Sequence, residues 1–392
     1  MIKKTLLVTL DFPPHLGGVA SFYYNVCKRL PPDKIVVLAP DGKGADDFDH
    51  REHFPIIRKK LLNQFPQSWP RGLAGILKLA ATVRWVSLIR GISQVVKNHH
   101  IELMIAGQVL PIGTLALIYY QRRKIPYIIF AHGLDILLPQ NYLRKTVILK
   151  KILSRAKAII ANSHFTKDEI IKLGVKAEKI IVINPCPDNT PAMLSEWKAQ
   201  ELREEHELIG KKILLTVGRL VERKGHDLVI KALPEIIKSV PNLIYLIVGD
   251  GPNRKNLEHL VNENSLRDYV KFIGVASEKE LACFYHLGNV FVMPARQLQN
   301  GDVEGFGMVY LEANSFGKPV IGGKSGGVTE AIIDGQTGLL VNPDNVNELI
   351  KAVIKLLTDM ALAERLGLQG LERVTKDFDW QTQVEKIKEI LK

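Results

Sequence analysis

The sequence predicts an α/β protein with two doubly wound, Rossmann-like domains, and three observations support this fold class. Short apolar runs recur along the chain at spacings that leave room for a helix between them. The runs are unbroken instead of alternating, which is typical of strands buried on both faces of a parallel sheet. The pattern of the first half is repeated in the second half, so each half is expected to form one sheet covered by helices.

Each half contributes six predicted strands. In the first half they are residues 5–10, 35–39, 103–106, 127–131, 158–161 and 180–183. In the second half they are residues 213–217, 243–248, 270–273, 290–293, 319–321 and 339–341. Closely spaced prolines at 185, 187 and 191 resist helix and central strand, so we expect the domain boundary there, with a first domain of residues 1–188.

Composition favours a soluble globular protein. A chain of 392 residues is too long for one ordinary core, and no apolar run reaches the ~18 residues of a membrane span. The basic opening Met1-Ile-Lys-Lys precedes an apolar run too short for a signal peptide, so it is interpreted as leading into a first strand. Cys27, Cys186 and Cys283 lack metal-ligand spacing and are interpreted as reduced thiols of a cytosolic protein.

The positive charge lies in the first half of the chain. Residues 1–190 hold 28 Lys and Arg against 13 Asp and Glu, whereas residues 191–392 hold 25 against 28. A basic surface attracts nucleic acid, anionic lipid or an acidic substrate, and it is also compatible with an ordinary solvated face.

Residues 71–97 are predicted to form an amphipathic helix within this basic half. Arg71, Lys78, Arg90 and Lys97 fall within about a third of the helix circumference at ~100° per residue. This pattern is typical of a helix on an anionic bilayer. It also fits a packed helix with a solvated basic edge.

The loop after the predicted strand 290–293 carries the strongest candidate site. A helix is expected to begin near Met308, with Gly305 and Gly307 at its entry and Glu304 and Glu312 on either side. A helix start offers unpaired N–H groups to a phosphate. If the segment were fully helical, the two carboxylates would lie about 12 Å apart, which suits the two ends of a nucleotide-sugar. A surface helix that carries glutamates is the alternative.

Other strand-end loops add candidate groups. Arg219 and Lys224 follow the strand 213–217 and could clamp a diphosphate. The glycine-rich loop 322–327 is not a Walker loop, because Lys318 stands where that motif needs glycine. Asp47 and Asp49 mimic a metal-binding pair but follow no predicted strand closely, so no metal site is expected there.

The first half offers two strand-end candidates. Gly17 and Gly18 precede a predicted helix and could present bare N–H groups to a ligand, or could simply form a tight turn. His132 follows the strand 127–131, where an imidazole can reach a substrate or can bond to its own loop.

Taken together, these residues resemble family 4 of the retaining glycosyltransferases, which have the two-domain GT-B fold. The resemblance covers nearly the whole chain and is most specific in residues 218–225, 248–252, 304–312 and 319–330. Residues 302–313 are most similar to the phosphatidylinositol mannosyltransferase branch. The resemblance implies a second domain of residues 189–374 that faces the first across a central cleft. It also implies a last helix, within residues 375–392, that crosses back to the first domain.

The resemblance also implies roles for individual residues. Catalytic or transition-state roles fall to His132 near the reacting carbon, to Arg219 and Lys224 on the donor diphosphate, and to Glu304 on the hydroxyls of the transferred sugar. Substrate binding falls to Gly17, Gly18, Gly249, Asp250, Gly274, Val275, Phe306, Gly307, Met308, Val309 and Glu312. In that set Gly274 and Val275 would contact the base through the backbone, residues 306–309 would offer amides to sugar and phosphate, and Glu312 would bind the ribose.

The implied mechanism is retention without metal or cofactor. Cations and a helix start stabilise the departing diphosphate, which itself takes the acceptor's proton, while Glu304 positions the sugar. Two departures from the family pattern are Thr329, where proline is common, and Asp135 in His132-Gly-Leu-Asp135, where glutamate is often seen. The second leaves the acceptor side open.

The resemblance favours GDP-mannose as donor, with UDP-glucose or UDP-N-acetylglucosamine as alternatives, and a lipid or saccharide acceptor. It favours a cytoplasmic protein, peripheral on the inner face of the cell membrane if the basic helix binds lipid. A nucleotide-sugar epimerase would need an extra acid–base pair at the strand ends, which the sequence does not offer. A nucleic-acid binder is not expected, because aromatic stacking runs are lacking and the charge does not explain Glu304 and Glu312.

Overall fold

Two parallel β-sheets organise the chain in a computed structural model that describes residues 1–15, 17–60, 62, 88–187 and 191–392. The first unit comprises Met1–Asn184 together with Trp380–Lys392, and the second comprises Pro185–Asp379. Each unit holds its own sheet between helices, as predicted from the apolar runs.

The first unit contains a seven-stranded sheet in the order β3-β2-β1-β4-β5-β6-β7. Its strands are β1 Thr5–Val8, β2 Ile35–Pro40, β3 Ile56–Lys59, β4 Leu103–Ala106, β5 Tyr127–Ala131, β6 Ala158–Ala161 and β7 Ile180–Val182. Every neighbouring pair is parallel. The helices are Gly18–Cys27, Ala45–Asp49, Ile112–Arg123, Leu134–Leu137, Leu143–Arg155, His164–Lys172 and Trp380–Ile390, and residues 88–98 are also helical.

The second unit contains a six-stranded sheet in the order β10-β9-β8-β11-β12-β13, again parallel throughout. Its strands are β8 Lys212–Val217, β9 Leu243–Val248, β10 Val270–Gly274, β11 Val290–Met293, β12 Val320–Gly323 and β13 Gly338–Val341. The helices are Glu196–Glu205, His226–Ser239, Arg254–Glu263, Glu278–Leu287, Met308–Ser315, Val328–Ala331, Val346–Thr358 and Met360–Asp377.

Burial explains why the apolar runs became strands. All residues of β4, β5, β6, β9 and β11 are buried, so both faces of these strands lie against helices. All twelve predicted strands are confirmed within one or two residues at each end. The sequence did not reveal β3, because it is an edge strand of only partly buried residues that ends in Arg58 and Lys59.

The last helix, Trp380–Ile390, belongs to the first unit. The Trp380 indole packs 5.5 Å from the Phe22 ring, centroid to centroid, and the Arg29 guanidinium lies over it. Lys3 N–H donates to the Leu391 carbonyl at 3.0 Å. The helix is therefore held by aromatic packing at its start and by backbone bonding at its end, in line with the helix that crosses back in the GT-B fold.

The predicted basic helix and the predicted domain boundary both include residues that the structure does not describe. Residues 71–87 of the predicted basic helix, with Arg71 and Lys78, lie outside the described residues, and residues 88–97 are helical. Residues 188–190 of the proline-rich boundary also lie outside. Within the described ranges, no helix has both the length and the hydropathy needed to cross a membrane.

We predict that Trp380→Ala lowers the free energy of unfolding by about 3–5 kcal/mol, the usual cost of removing a large buried aromatic side chain. Urea unfolding followed by circular dichroism measures this loss. Trp197→Ala is the matched control, because Trp197 is 74% exposed and its removal should change stability by no more than about 0.5 kcal/mol. Equal unfolding midpoints for the two variants would contradict the packing role of Trp380.

Candidate active site

The segment after β11 enters its helix at a glycine. Gly307 has a φ of 96°, and the helix Met308–Ser315 follows without a side-chain cap. A Cβ at position 307 would lie 2.5 Å from a Tyr310 ring carbon, so only glycine fits there. The predicted helix start near Met308 is confirmed. Glu304 lies outside the helix, in the loop that follows β11, so the 12 Å spacing expected for a continuous helix does not apply.

The glycine-rich loop 322–327 supports this entry through its backbone. Gly327 N–H donates to the Glu304 carbonyl at 3.0 Å. A Cβ on Gly327 would lie 2.1 Å from the Gly305 carbonyl oxygen. The loop thus packs backbone against backbone and fixes the path of Glu304 and Gly305, a role distinct from that of a phosphate loop.

Lys224 and Glu304 form an ion pair at the centre of this site. Lys224 Nζ lies 3.2 Å from Glu304 Oε2, and their side chains are 10% and 15% exposed. Lys224 Nζ also lies 3.3 Å from the Met293 sulfur, at the end of β11. A Cβ on Gly218 would lie 3.2 Å from the same Nζ, so glycine after β8 leaves room for the lysine side chain. The structure thus brings the two sequence-predicted residues Lys224 and Glu304 into direct contact.

Arg223, which sequence reasoning missed, joins this cluster. Its Nε lies 3.4 Å from Asp302 Oδ1, and its guanidinium lies 3.8 Å from Glu304 Oε2. Arg219 is exposed and forms no ion pair within the described residues. Arg219 still lowers the pKa of Asp302 electrostatically, so it lies near the same loop with its guanidinium available to a ligand. The acidic residue at 302 is the sequence signal that could have identified Arg223 as a neighbour.

The charges in the cluster shift two carboxyl pKa values in opposite directions. Burial alone would raise the pKa of Glu304, but Lys224 and Arg223 more than offset it, so the pKa is lowered. The pKa of Asp302 is raised, mainly by burial, although Arg223 opposes this. Glu304 is therefore a carboxylate at neutral pH and can accept hydrogen bonds from hydroxyl groups.

The loops after β9 and β10 meet the loop after β8 beside Gly218. Gly249 N–H donates to the Gly274 carbonyl at 2.7 Å, and Leu220 N–H donates to the Asp250 carbonyl at 3.0 Å. A Cβ on Gly249 would lie 2.1 Å from the Gly218 carbonyl oxygen. Close backbone approach brings the predicted residues Gly249, Asp250 and Gly274 to the carboxyl edge of the sheet. Val275 follows with its side chain 69% exposed.

Glu312 is buried in the helix Met308–Ser315 and accepts a hydrogen bond from the Tyr285 hydroxyl at 2.6 Å. The Tyr285 ring stacks on Phe316 at 5.7 Å. Tyr285 thus fixes one carboxylate oxygen of Glu312. The Phe306 side chain is also buried and packs against Phe378, so only its backbone is suited to contact a ligand.

The carboxyl edge of the first unit carries a second cluster. Gln108 Nε2 donates to Asp11 Oδ2 at 2.8 Å, which ties the residues after β1 and β4 together. Gly17 caps the helix that begins at Gly18, and a Cβ on Gly17 would meet no atom within 4 Å. Gly17 therefore borders open space at this edge, and Gly18 beside it is exposed.

His132 follows β5 and is held by Tyr23, which sequence reasoning did not identify. The Tyr23 oxygen lies 2.6 Å from His132 Nε2, and its hydroxyl also donates to the Gly107 carbonyl. A hydroxyl has one proton and a carbonyl can only accept, so Nε2 carries the hydrogen and donates to Tyr23. Burial lowers the pKa of His132 to about 4. The imidazole is thus neutral at physiological pH, and Nδ1 is its acceptor.

Asp135 orients the backbone of the same loop. Its Oδ1 accepts a hydrogen bond from His132 N–H at 2.8 Å, and its Oδ2 accepts one from Val109 N–H at 3.4 Å. Burial raises the pKa of Asp135 to about 6, against the effect of these N–H groups. Asp135 therefore joins the β4 and β5 loops, a structural role that the shorter carboxylate fulfils at this position.

Across the described part of the chain, no group of three or more His, Cys, Asp and Glu side chains could hold a metal ion. Asp49, of the apparent metal-binding pair, is instead paired with Arg58, with an Arg58 nitrogen 2.6 Å from Asp49 Oδ1.

Two family models match the chain. Residues 16–189 match the family described as Glycosyltransferase Family 4, and residues 198–373 match Glycosyl transferases group 1. A GDP-mannose-dependent alpha-(1-6)-phosphatidylinositol monomannoside mannosyltransferase of Mycobacterium tuberculosis is 30% identical over 100% of this chain and 98% of the relative. A GDP-mannose-dependent monoacylated alpha-(1-6)-phosphatidylinositol monomannoside mannosyltransferase of Corynebacterium glutamicum is 29% identical over 99% of this chain and 98% of its own.

Solved structures show the same fold. Anabaena Alr3699/HepE in complex with UDP and glucose has a TM-score of 0.80 at 22% identity, with 99% of each chain covered. Sucrose-phosphate synthase of Thermosynechococcus elongatus has a TM-score of 0.79 at 24% identity, with 98% of this chain and 97% of that chain covered. The full-length relatives, the two family models and these structures agree: the chain belongs to glycosyltransferase family 4 and is a glycosyltransferase with the GT-B fold.

Proposed function

We propose that this glycosyltransferase transfers mannose from GDP-mannose to a hydroxyl of a lipid-linked acceptor, with retention of configuration and without a divalent metal or other cofactor. The observation that carries the proposal is the Lys224–Glu304 ion pair beside an uncapped helix start. The names of the full-length relatives support the donor and the lipid acceptor. A saccharide acceptor is the alternative on the acceptor side.

The second unit is proposed to bind the diphosphate of the donor. Lys224 and Arg219 supply positive charge, and the N–H groups at Gly307, Met308 and Val309 supply donors at a helix start. The leaving nucleoside diphosphate carries about two negative charges, and preorganised cations and dipoles stabilise that charge as it develops. Such a clamp takes the part that a divalent ion plays in other transferases.

Glu304 is proposed to accept hydrogen bonds from hydroxyl groups of the transferred sugar. Its low pKa keeps it ionised, and Lys224 holds one of its oxygens, so the carboxylate has a fixed position. A carboxylate paired with two cations is a weak nucleophile, which favours a positioning role over a covalent one. The departing phosphate then takes the proton of the acceptor hydroxyl on the same face of the sugar.

The nucleoside is assigned to the edge formed by Gly249, Asp250 and Gly274, with Val275 exposed beside them. Glu312 is proposed to bind the ribose hydroxyls, held in place by Tyr285. These contacts are mostly backbone contacts, and they do not by themselves select guanine over uracil. UDP-glucose and UDP-N-acetylglucosamine are therefore the alternative donors.

His132 is proposed to accept a hydrogen bond from a hydroxyl group of a substrate. A neutral imidazole with Nδ1 as acceptor can orient a hydroxyl without adding positive charge. Gly17 and Gly18 are proposed to let a substrate approach the backbone at the same edge of the first unit. An epimerase would use a proton-transferring pair, and the pKa of His132 is too low for an efficient general base at neutral pH. A cytoplasmic protein on the inner face of the membrane fits this assignment.

We predict that Lys224→Ala and Glu304→Gln each reduce mannose transfer by at least about a hundredfold, because the first removes a cation that stabilises the leaving diphosphate and the second removes the carboxylate that positions the transferred sugar. Steady-state transfer of radiolabelled mannose measures the effect. Lys238→Ala is the matched control, since Lys238 is an exposed lysine on the helix His226–Ser239 that pairs with Glu235. A thermal melt shows whether each variant is folded. Wild-type activity in a folded Lys224→Ala or Glu304→Gln variant would remove that residue from the catalytic assignment.

We predict that GDP stabilises the protein more than UDP. A ligand at 100 times its Kd should raise the free energy of unfolding by about 2.7 kcal/mol. Thermal-shift titrations of the two nucleotides measure the difference. A larger shift with UDP would identify a UDP-sugar as donor. Labelled GDP-mannose and UDP-sugars with lipid and saccharide acceptors then test the reaction, and an epimerised sugar without transfer would contradict the proposed activity.

We predict that Tyr23→Phe lowers the transfer rate by about fivefold, the value of one neutral hydrogen bond of about 1 kcal/mol, because His132 loses the group that fixes its tautomer. Nitrogen chemical shifts of the His132 ring should change from the Nε2–H form to a mixture of tautomers. Tyr269→Phe in the second unit is the control and should leave both readouts unchanged. An unchanged ring spectrum in Tyr23→Phe would exclude the positioning role.

A further inference from the structure

The helix Leu143–Arg155 carries apolar side chains on two sides. Leu149, Ile152 and Leu153 are fully buried and belong to the core of the first unit. On the solvent side, Leu143 is 88% exposed and Val147 is 67% exposed. Tyr142 and Ile148 are exposed as well. A helix that only covers the core would carry polar residues on its outer side, so this exposed apolar group calls for a partner.

Cations surround the exposed apolar group. The solvent side of the helix also presents Arg144, Lys150, Lys151 and Arg155, and residues 143–155 contain no Asp or Glu. At ~100° per residue, Val147 falls between Leu143 and Lys151 on the helix circumference, so apolar and basic side chains share one face. Lys145 Nζ lies over the Tyr142 ring, 4.3 Å from its centroid. We call this set, residues 142–144, 147, 148, 150, 151 and 155, the Leu143 face.

We propose that the Leu143 face docks on an anionic lipid bilayer, with Leu143 and Val147 inserted among the lipids and the cations on the headgroup phosphates. Charge complementarity selects this occupant, because a helix with cations and apolar residues on one exposed face is suited to lie in the interface of such a membrane. The helix is about 20 Å long and can lie flat on the surface. The proposal rests on the proposed function only in that a lipid-linked acceptor gives the docking a purpose.

The first half of the chain, which forms most of the first unit, is suited to the same partner. Residues 1–190 carry a net charge of +15, from 28 basic and 13 acidic residues. Long-range attraction of this basic unit to anionic lipid would bring the protein to the surface, and insertion of the apolar side chains would fix its orientation there. An acidic protein surface would also attract the cations, but it offers no apolar layer for side chains as exposed as Leu143.

Sedimentation of the intact enzyme with vesicles tests the proposal without donor or acceptor. The wild type should bind phosphatidylcholine vesicles that contain phosphatidylglycerol and should bind pure phosphatidylcholine poorly. Leu143→Ser combined with Val147→Ser should weaken binding by about tenfold or more, because both apolar side chains lose their lipid environment. Lys150→Gln combined with Lys151→Gln should weaken binding mainly at low salt, since salt screens the attraction.

Ile209→Ser is the matched control, because Ile209 is 66% exposed, close to the 67% of Val147, but lies in the second unit. It should bind vesicles like the wild type. All variants change exposed residues and should keep the wild-type thermal midpoint. Unchanged vesicle binding by the Leu143→Ser, Val147→Ser double variant would overturn the proposal. A wild-type dimer in light scattering that this double variant converts to a monomer would also overturn it, by assigning the face to a second copy.

Transfer assays separate this proposal from the proposed function. The double variant should transfer mannose normally to an acceptor presented in detergent, and slowly to the same acceptor in vesicles. Vesicle binding by a protein that transfers no mannose in either form would refute the proposed reaction and leave the docking surface in place. Equal rates in vesicles for wild type and double variant would refute the docking role.

Discussion

The contact between Lys224 and Glu304 is the interaction on which the donor site depends. These residues lie on the loops after β8 and β11, which are adjacent strands although three helices separate them in sequence. The strand order reverses between β8 and β11, and loops diverge at such a switch point to leave a crevice beyond the carboxyl edge. A cation and an anion that face each other there hold the two loops at a set distance and leave charge available to a ligand.

Backbone packing makes this charged contact possible. Gly249 lies against Gly218, and Gly327 lies against Gly305, at separations that a Cβ would not allow. In each contact the backbone of one loop packs directly against the backbone of another. The loops that carry the charged residues are therefore held in fixed positions. A partly buried ion pair gains little stability unless its geometry is fixed, because desolvation offsets the attraction. The glycines therefore fix the positions of the charged side chains as well as the path of the loops.

The sheets, the helix start at Met308 and the strand-end positions of Lys224 and Glu304 could be predicted from the sequence, because each depends on local pattern or on a place at the end of a strand. Sequence reasoning chose Arg219 and missed Arg223, the cation that lies beside Asp302 and Glu304. Both lie on one loop, and the 3₁₀ turn Glu222–Lys224 sets which side chain turns toward Asp302. The bond between Tyr23 and His132 spans 109 positions, and only the neighbouring of β1, β4 and β5 brings them together. No local pattern encodes such a contact.

Charge at the strand-end clusters and charge on the outer surface have different roles in the two units. The first unit holds the basic surplus of the chain, yet its strand-end cluster centres on a histidine whose pKa of about 4 keeps it neutral. The second unit is slightly acidic overall, yet it concentrates Lys224 and Arg223 where a diphosphate is proposed to bind. The net charge of a unit therefore does not predict the charge at its strand-end cluster. The surplus cations of the first unit lie on surfaces such as the Leu143 face, where they can act on a partner too large to enter a pocket.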